Sequence, residues 1–519
     1  MRHNILNMTV ALAVGVMTLT ACNDYLDVDS PSNIQADKFY QTPAQCEQAL
    51  TGIYNGLLPL PNYHVLMAEG RCDDVWTEPA DDKQRDYVDI SVFNPNIYTI
   101  GTLNSAWNDY YEIIARANLF LEKIQDVEFS VAGVKESFMA EARLLRALAY
   151  FDLVRWFGRV PLTLKSLTAS EALTLPQSES VEVYDQAIVP DLEYAVENLG
   201  ETALTQSGGQ AKEGRANQIV AKALLGRVYL TMAGFPLYDT DKEAKAEALF
   251  KDVIDYADAT GKFWAESGQR WPHIWISDND NRYHIFEIQY VAQRNYGNPA
   301  VFLSVPNVGT EYVGIQMSGN RITCSTGLRN LYKEYPDDVR YRYTADPTRH
   351  YFTKFFEHKI KRAELGYSDI DAQIVDRTYF PINYPLIRLE DVMLMYAEIT
   401  GPTAEGVALV NKIRTRAGLP SLSGSELTPD GFAEAVDSER RRELAFEGIR
   451  WHDLVRHNKY IECVKAKFEA EIYDDKGNVI HSNYQKYLGN ITEGTYIYPI
   501  PDTQMKAKPG LYQQNEAYR

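Results

Sequence analysis

Apolar residues recur at spacings of three and four in paired segments, and this periodicity constrains the fold of the chain more than any other feature. One segment carries Trp107, Tyr110, Tyr111, Ile114, Ala117 and Leu121, and the next carries Phe138, Ala142, Leu145, Ala149 and Leu153. Such spacing places the apolar side chains on one face of an α-helix. Gly158 and Pro161 end the second helix. Two amphipathic helices joined by a short connector predict one helical hairpin.

The same pattern returns along the chain. It occupies four segments, at about 105–162, 181–258, 385–419 and 432–460. In size and in their Ala/Tyr-rich packing positions, these hairpins resemble tetratricopeptide repeats, which stack because no single hairpin can bury its apolar face alone. The sequence therefore predicts a mainly α fold built from four helical hairpins.

Long stretches between the hairpins have a different character. Segments 59–104, 263–384 and 472–498 are dense in Tyr, Trp, Asn and Asp, which predicts irregular loops with a few short strands. Residues 283–291 alternate as a buried strand does. Rigid helices that carry polar and aromatic loops are typical of a binding protein.

The N-terminus predicts a targeting segment. Arg2 precedes an apolar stretch over about 10–19, and this stretch is too short to span a bilayer. We therefore predict that residues 1–21 are a signal peptide. Cys22 follows Leu19-Thr20-Ala21, an order that resembles a bacterial lipobox, and we expect Cys22 to be lipidated. The alternative is an ordinary signal peptide in which Cys22 is incidental. Residues 22–519 contain no Pro/Gly/Ser-rich linker, which predicts a single domain.

Charge and motifs exclude several classes of function. The net charge of −19 disfavours nucleic acid, whose binding depends on Lys and Arg. No nucleotide-binding, zinc-protease or serine-hydrolase motif is present, so we expect no catalytic residues and no cofactor. A calcium loop that begins at Asp278 fails as an EF-hand, because Tyr283 and Gln289 occupy its glycine and glutamate positions. His452-Asp453 lacks a second ligand cluster, and we expect no metal site.

Charged residues of opposite sign also stand three and four apart over 439–450, where they can pair along one helix. A structural role as salt bridges is the favoured interpretation.

Four blocks of sequence resemble the SusD/RagB family. The most specific block runs from Glu439 to Arg456 (ERRRELAFEGIRWHDLVR). The others, in chain order, are Arg143–Leu162 (RLLRALAYFDLVRWFGRVPL), Pro385–Leu419 (PLIRLEDVMLMYAE, then VNKIRTRAGL) and Tyr498-Pro499-Ile500-Pro501. The start of the mature chain, Cys22 to Leu26, is also similar. The resemblance covers essentially the whole mature chain, with the helices more family-like than the loops.

This resemblance implies both a fold and a function. It implies tetratricopeptide-like hairpins in a right-handed superhelical scaffold, tethered through Cys22 to the outer membrane and facing the cell exterior. It implies a glycan-binding subunit that passes nutrient to a SusC-like TonB-dependent transporter, without enzymatic activity and without a cofactor. Three alternatives stay open: a peptide-capturing RagB-like receptor, a surface glycosidase with two carboxylates about 5 to 9.5 Å apart, and a scaffold that binds only protein.

Candidate ligand residues lie in the loops, because a sugar site needs aromatic rings for stacking and polar groups for its hydroxyls. The first set precedes the first hairpin and comprises Asp73, Asp74, Trp76, Tyr87, Asn96 and Tyr98. The second set comprises Trp264, Trp271, Trp275, Tyr296 and Arg321. We expect alanine at Trp76 to weaken glycan binding without unfolding the protein. The alternative for every one of these aromatic residues is packing in the core.

Overall fold

A computed structural model describes residues 39–77, 85–211, 213–279, 282–304, 322–345, 351–370, 373–376, 378–470 and 484–519. The predicted signal peptide (1–21), the predicted lipidation site Cys22 and the candidate Arg321 lie outside these residues, so what was inferred for them stays a prediction. No helix among the described residues is both long and apolar enough to cross a bilayer.

The described chain is mainly α-helical, which confirms the predicted fold class. The first helices are α1 (Pro43–Asn55), α2 (Leu60–Tyr63), α3 (Arg85–Ser91), α4 (Gly101–Lys123), α5 (Val134–Phe157), α6 (Ala169–Thr174), α7 (Ser180–Val183), α8 (Val189–Asn198), α9 (Gln218–Ala233) and α10 (Glu243–Thr260). The later ones are α11 (Pro299–Ser304), α12 (Thr326–Lys333), α13 (Val339–Thr344), α14 (Lys359–Glu364), α15 (Leu389–Thr400), α16 (Ala404–Ala417), α17 (Pro429–Leu444), α18 (Arg450–Arg456), α19 (Tyr460–Glu469) and α20 (Asp502–Ala507). Two π-helical turns (His64–Glu69 and Tyr184–Ile188) extend α2 and join α7 to α8.

The long helices pack in chain order. Helix α4 packs on α5, α5 on α8, α8 on α9, α9 on α10, α10 on α15, and α15 on α16. The first hairpin forms as the periodicity predicted, because Trp107, Tyr110 and Ile114 of α4 are buried. Helix α5 is buried almost all round, since it lies between α4 and α8. The handedness of the stack and the single-domain organisation stay predictions.

Strands are few and short. Antiparallel pairs join β1 (Val75–Thr77) to β5 (Ile322–Cys324), β2 (Val160–Pro161) to β3 (Gln177–Ser178), and β4 (His284–Ile288) to β6 (Tyr384–Arg388). In the first pair, Trp76 stands opposite Thr323. Strand β4 lies inside the predicted strand 283–291 and is buried along its whole length. The stretch 59–104, predicted to be loops with short strands, contains the short strand β1 but also α2, a π-helical turn and α3.

The segment 432–460, predicted to be a helical hairpin, contains two helices joined by a turn. Helix α17 ends at Leu444 and α18 begins at Arg450, and between them Phe446 and Gly448 adopt positive φ angles of 66° and 75°. A Cβ atom at Gly448 would lie 2.6 Å from the Cβ of His64, so the turn packs directly on the π-helical turn His64–Glu69. Glycine is needed here for both conformation and space.

Glu69 joins this turn through a hydrogen bond. Its Oε1 accepts from the backbone N–H of Gly448 at 2.6 Å. Burial, reinforced by the nearby Asp74 and opposed by the Gly448 N–H, raises the pKa of the Glu69 carboxyl to about 8. A carboxyl whose pKa is raised on folding stabilises the protein below its unfolded pKa, and that stabilisation is lost as the pH rises through the folded value.

We predict that Glu69→Gln gains stability over the native chain as the pH rises. The glutamine keeps the acceptor for Gly448 but cannot lose a proton, so the difference in free energy of unfolding should grow between about pH 4.5 and pH 8 and then level off. Urea unfolding of both proteins at several pH values measures this difference. An offset that does not change with pH would show that Glu69 is not buried with a raised pKa.

An ionic cluster fills the centre of the C-terminal half. Glu443 is fully buried, and its Oε1 accepts from Arg388 at 3.0 Å and from Arg416 at 2.9 Å. The same oxygen accepts from Trp271 Nε1 at 2.9 Å, while Oε2 accepts from Arg340 at 3.0 Å. Burial alone would raise the pKa of Glu443, but the three guanidinium groups hold that pKa well below its usual range. The cluster ties β6, α13 and α16 to α17.

The salt bridges predicted over 439–450 exist, but most of them join different elements. Arg440 pairs with Asp391 and Asp453, both at 2.8 Å, and Arg450 pairs with Asp73 at 2.8 Å. Because α17 is largely buried, most of its charged side chains face neighbouring elements, although Arg442 and Glu439 do lie 3.9 Å apart along the helix. The predicted structural role is right, and the predicted pairing along one helix accounts for only part of the contacts.

Candidate ligand-binding site

The acidic pair of the first candidate set lies in the interior. Asp73 accepts from Arg450 Nε at 2.8 Å and from Arg450 Nη2 at 2.9 Å, and Asp74 accepts from Arg441 Nε at 3.0 Å. Burial opposes ionisation, but Arg450 and Arg441 hold the pKa of Asp73 below its usual range. Both carboxylates are committed to arginines of the C-terminal block, so the prediction that Asp73 and Asp74 contact ligand is wrong.

Trp76 is also part of the core. It is 3% exposed, its ring stacks on Phe468 with centroids 6.2 Å apart, and Tyr484 lies 4.6 Å away. The ammonium of Lys467 stands 5.2 Å from the same ring. With these three side chains packed against it, the Trp76 ring has no exposed face on which a sugar could stack. The predicted glycan contact at Trp76 is therefore wrong, and core packing is correct.

The same correction applies to Trp271 and Trp275, which are both fully buried. Trp271 donates to Glu443 in the ionic cluster, and Trp275 packs edge-on against Phe355 at 5.5 Å. Strand pairing and ion pairing bury these rings, and neither is visible as a local pattern in the sequence.

Four other candidates lie at the surface but do not converge on one described cavity. Asn96 is exposed, Tyr87 is half-buried within α3, and Tyr98 is half-buried in the turn that precedes α4. Tyr296 is 45% exposed at the tip of a turn in which its N–H donates to the carbonyl of Gln293. As ligand contacts these four residues stay predictions.

Trp264 does line an open cleft. The cleft measures about 490 Å³ and lies between the segment after α10 and one face of α16. Its lining comprises Trp264, Glu266, Ser267, Gly268, Asn411, Lys412, Thr415 and Arg416. The Trp264 ring is half-buried, with the guanidinium of Arg416 4.1 Å from its centroid. A partly open aromatic ring beside amide, hydroxyl and ammonium groups suits a ligand with an apolar face and polar edges.

Sequence reasoning missed the α16 side of this cleft. Asn411 and Thr415 are four residues apart, as are Lys412 and Arg416, so both pairs share one face of the helix. Glu390 forms an ion pair with Arg416 at 2.5 Å, and this pair fixes the guanidinium beside the Trp264 ring. Helical spacing could have identified the face, but only the fold brings it against Trp264.

The cleft does not have the composition of a hydrolase site. Its lining contains one carboxylate, Glu266, whereas a glycosidase needs two that face each other. Among the described residues, no group of three or more His, Cys, Asp and Glu side chains is arranged to hold a metal ion. The fold and the cleft define a class of protein: a mainly α-helical protein with an open cleft that contains an aromatic ring.

Two family models match the chain, and they cover different parts of it. The model described as "SusD family" matches residues 274–518, and the model described as "Starch-binding associating with outer membrane" matches residues 24–230. The chain belongs to the SusD/RagB family. SusD-like proteins are binding proteins, not enzymes.

Full-length relatives and solved structures agree with this assignment. A SusD-like protein of Bacteroides ovatus is 25% identical, with 95% of this chain and 92% of that protein covered. SusD-like protein P38 of Formosa agariphila is also 25% identical, covering 88% and 92%. The crystal structure of a SusD homolog from Bacteroides thetaiotaomicron is similar with a TM-score of 0.75 and 22% identity, covering 92% of this chain and 98% of that one. A laminarin-binding SusD-like protein gives a TM-score of 0.70 and 24% identity, covering 92% and 100%.

Proposed function

We propose that this protein captures glycans at the outer membrane and passes them to a SusC-like TonB-dependent transporter. The observation that carries the proposal is the match of residues 24–230 to a family described as starch-binding and associated with the outer membrane. One structural relative is a laminarin-binding SusD-like protein, which is consistent with the same ligand class. Lipidation at Cys22 would tether the protein, facing the cell exterior, beside its transporter.

Within this proposal the Trp264 cleft is the glycan site. Sugar rings have flat apolar faces that pack on an indole, and their hydroxyls need donors and acceptors around it. Lys412 and Thr415 supply such groups from α16, and Glu266 and Ser267 supply them from the opposite wall. Tyr87, Asn96, Tyr98 and Tyr296 are proposed as secondary contacts for a long chain.

The first experiment is a titration of the unlipidated chain, residues 23–519, against a panel of polysaccharides and peptides by calorimetry, with product analysis of every mixture. Saturable binding of a glycan without cleavage supports the proposal. Binding of peptides alone would favour a RagB-like receptor, and cleaved products would contradict a capture function. Co-purification with the outer-membrane transporter from detergent extracts tests the partner separately.

We predict that Trp264→Ala weakens glycan binding by about two- to tenfold, which is the usual range for one stacked aromatic ring. The midpoint of thermal unfolding should change little, because the ring is only half-buried. Tyr238→Ala removes a ring that is 57% exposed outside the cleft, and it is the matched control. If both variants bind as the native chain does, the glycan site lies elsewhere on the surface.

A further inference from the structure

A second cleft lies on the other side of the segment that carries Trp264. It measures about 350 Å³ and is bounded by the loop before α9, by residues 261–263, and by strand β4. Phe263, the neighbour of Trp264 in the chain, lines this cleft, whereas Trp264 lines the first. One short segment therefore presents an aromatic ring to each of two cavities.

Phe263 adopts a conformation that bulky residues rarely take. Its φ angle is 67°, in the left-handed region, and its ring is half-buried, 6.4 Å from the ring of Tyr256. Such a conformation costs about 1–3 kcal/mol and persists where the surrounding structure imposes it, often at ligand sites. Glycine adopts the same φ without cost.

His284 forms part of the floor of this second cleft, and one of its ring nitrogens lacks a hydrogen-bond partner among the described residues. His284 is 7% exposed, its Nδ1 is bonded to Glu287 Oε2, and its buried Nε2 has no hydrogen-bond partner among the described residues. The other oxygen of Glu287 accepts from Asn383 Nδ2 at 2.6 Å. His284 Nε2 is therefore a buried polar atom that no described residue pairs with. Leaving such an atom unpaired costs free energy, so a ligand hydroxyl that hydrogen-bonds to it would be stabilised.

The rim carries charges of both signs in equal number. Glu201, Glu213, Lys262 and Arg282 are all exposed, and none forms an ion pair with another described residue. Lys262 donates to the hydroxyl of Tyr256 at 3.2 Å, and its ammonium lies 5.7 Å from the centre of the same ring. Because the acidic and basic groups balance, the rim favours neither an anion nor a cation, yet it offers both hydrogen-bond donors and acceptors.

We propose that this cleft is a second binding site, for a neutral polyhydroxylated ligand of about one or two sugar residues, a size at the lower end of the usual range for ligand pockets. Phe263 provides the stacking face, Arg282 and Glu213 bind hydroxyls at the rim, and His284 Nε2 hydrogen-bonds to a hydroxyl that reaches the floor. The proposal takes its ligand class from the proposed glycan function. The location of this second site and the size of the ligand that it can hold do not depend on the Trp264 cleft.

The test is saturation-transfer NMR of the unlipidated chain with glucose, galactose, mannose and their disaccharides, with glucuronate and glucosamine as charged comparisons. We expect one neutral sugar to bind. Phe263→Gly, which keeps the backbone conformation and removes the ring, and Arg282→Ala, at the exposed rim, should each weaken that binding by about five- to tenfold. Trp264→Ala should leave it unchanged.

Each result decides between the two proposals. Polysaccharide binding without any small-sugar binding would overturn the second site and leave the proposed function standing. Small-sugar binding that survives both Phe263→Gly and Arg282→Ala, or that is lost in Trp264→Ala, would overturn the placement. A preference for glucuronate or glucosamine would overturn the neutral ligand class. Failure of every polysaccharide and every sugar to bind would remove both proposals.

Discussion

Replacing Glu443 with glutamine is expected to lower the free energy of unfolding by about 3–5 kcal/mol, the usual cost of breaking a buried ion pair from one side. Glutamine has the same shape but no charge, and it would point an amide N–H₂ at guanidinium groups. Arg340, Arg388 and Arg416 all lie within 3.0 Å of the Glu443 carboxylate, and the side chains of all three are at most 1% exposed. Urea unfolding followed by circular dichroism measures the loss.

The matched control is Glu112→Gln. Glu112 pairs with Arg116 on the surface of α4, where both side chains are about half exposed, at 55% and 41%. Removal of that charge should cost no more than about 0.5 kcal/mol. A loss of similar size in both variants would mean that the cluster around Glu443 is hydrated and that its burial is not the source of stability.

Trp76→Ala is the second substitution with a large expected effect, and the expected effect is on stability rather than on glycan affinity. Removing a fully packed indole leaves a cavity between Phe468, Tyr484 and Lys467, at a usual cost of about 3–5 kcal/mol. The folded fraction should bind glycan with unchanged affinity. Thermal unfolding and calorimetric titration of the same sample separate the two effects.

Trp76→Phe serves as the partner variant, because it keeps an aromatic ring in the stack and should recover part of the lost stability. Trp264→Ala gives the opposite pattern, with weakened binding and little change in stability. If Trp76→Ala instead lowers glycan affinity and leaves the midpoint of thermal unfolding unchanged, Trp76 contacts the ligand and is not part of the core.

The helices were predictable because their signal is local. Trp107, Tyr110 and Ile114 mark the buried face of α4 through spacing alone, and the spacing survives in the structure. The interruption between α17 and α18 falls between the two periodic segments of the hairpin predicted over 432–460, but the sequence does not show what holds it in place. The turn packs on His64, nearly 400 residues away in the sequence, and this contact requires Gly448.

The ligand site was only partly predictable, for a related reason. Aromatic and polar residues occur both in sugar sites and in cores, and composition cannot separate the two. Asp73 and Trp76 were assigned to ligand because they precede the first hairpin, but arginines and aromatic rings from beyond residue 440 cover them. Trp264 is half-buried and Trp271 is fully buried because the fold packs different elements against the two rings, which the sequence around them does not show.

The contacts around Arg71 set the order in which the chain can fold. Arg71 donates to the carbonyls of Thr495 and Ile497 at 2.8 and 3.2 Å, and to the hydroxyl of Tyr518 at 2.9 Å, more than 420 residues away. In a chain made from its N-terminus, the hairpin of α4 and α5 can close early, because its contacts are local. The segment around Arg71 has to wait for the last turn of the chain. We therefore expect the fold to be completed late, and a chain that stops before residue 484 would lack all three of these partners of Arg71.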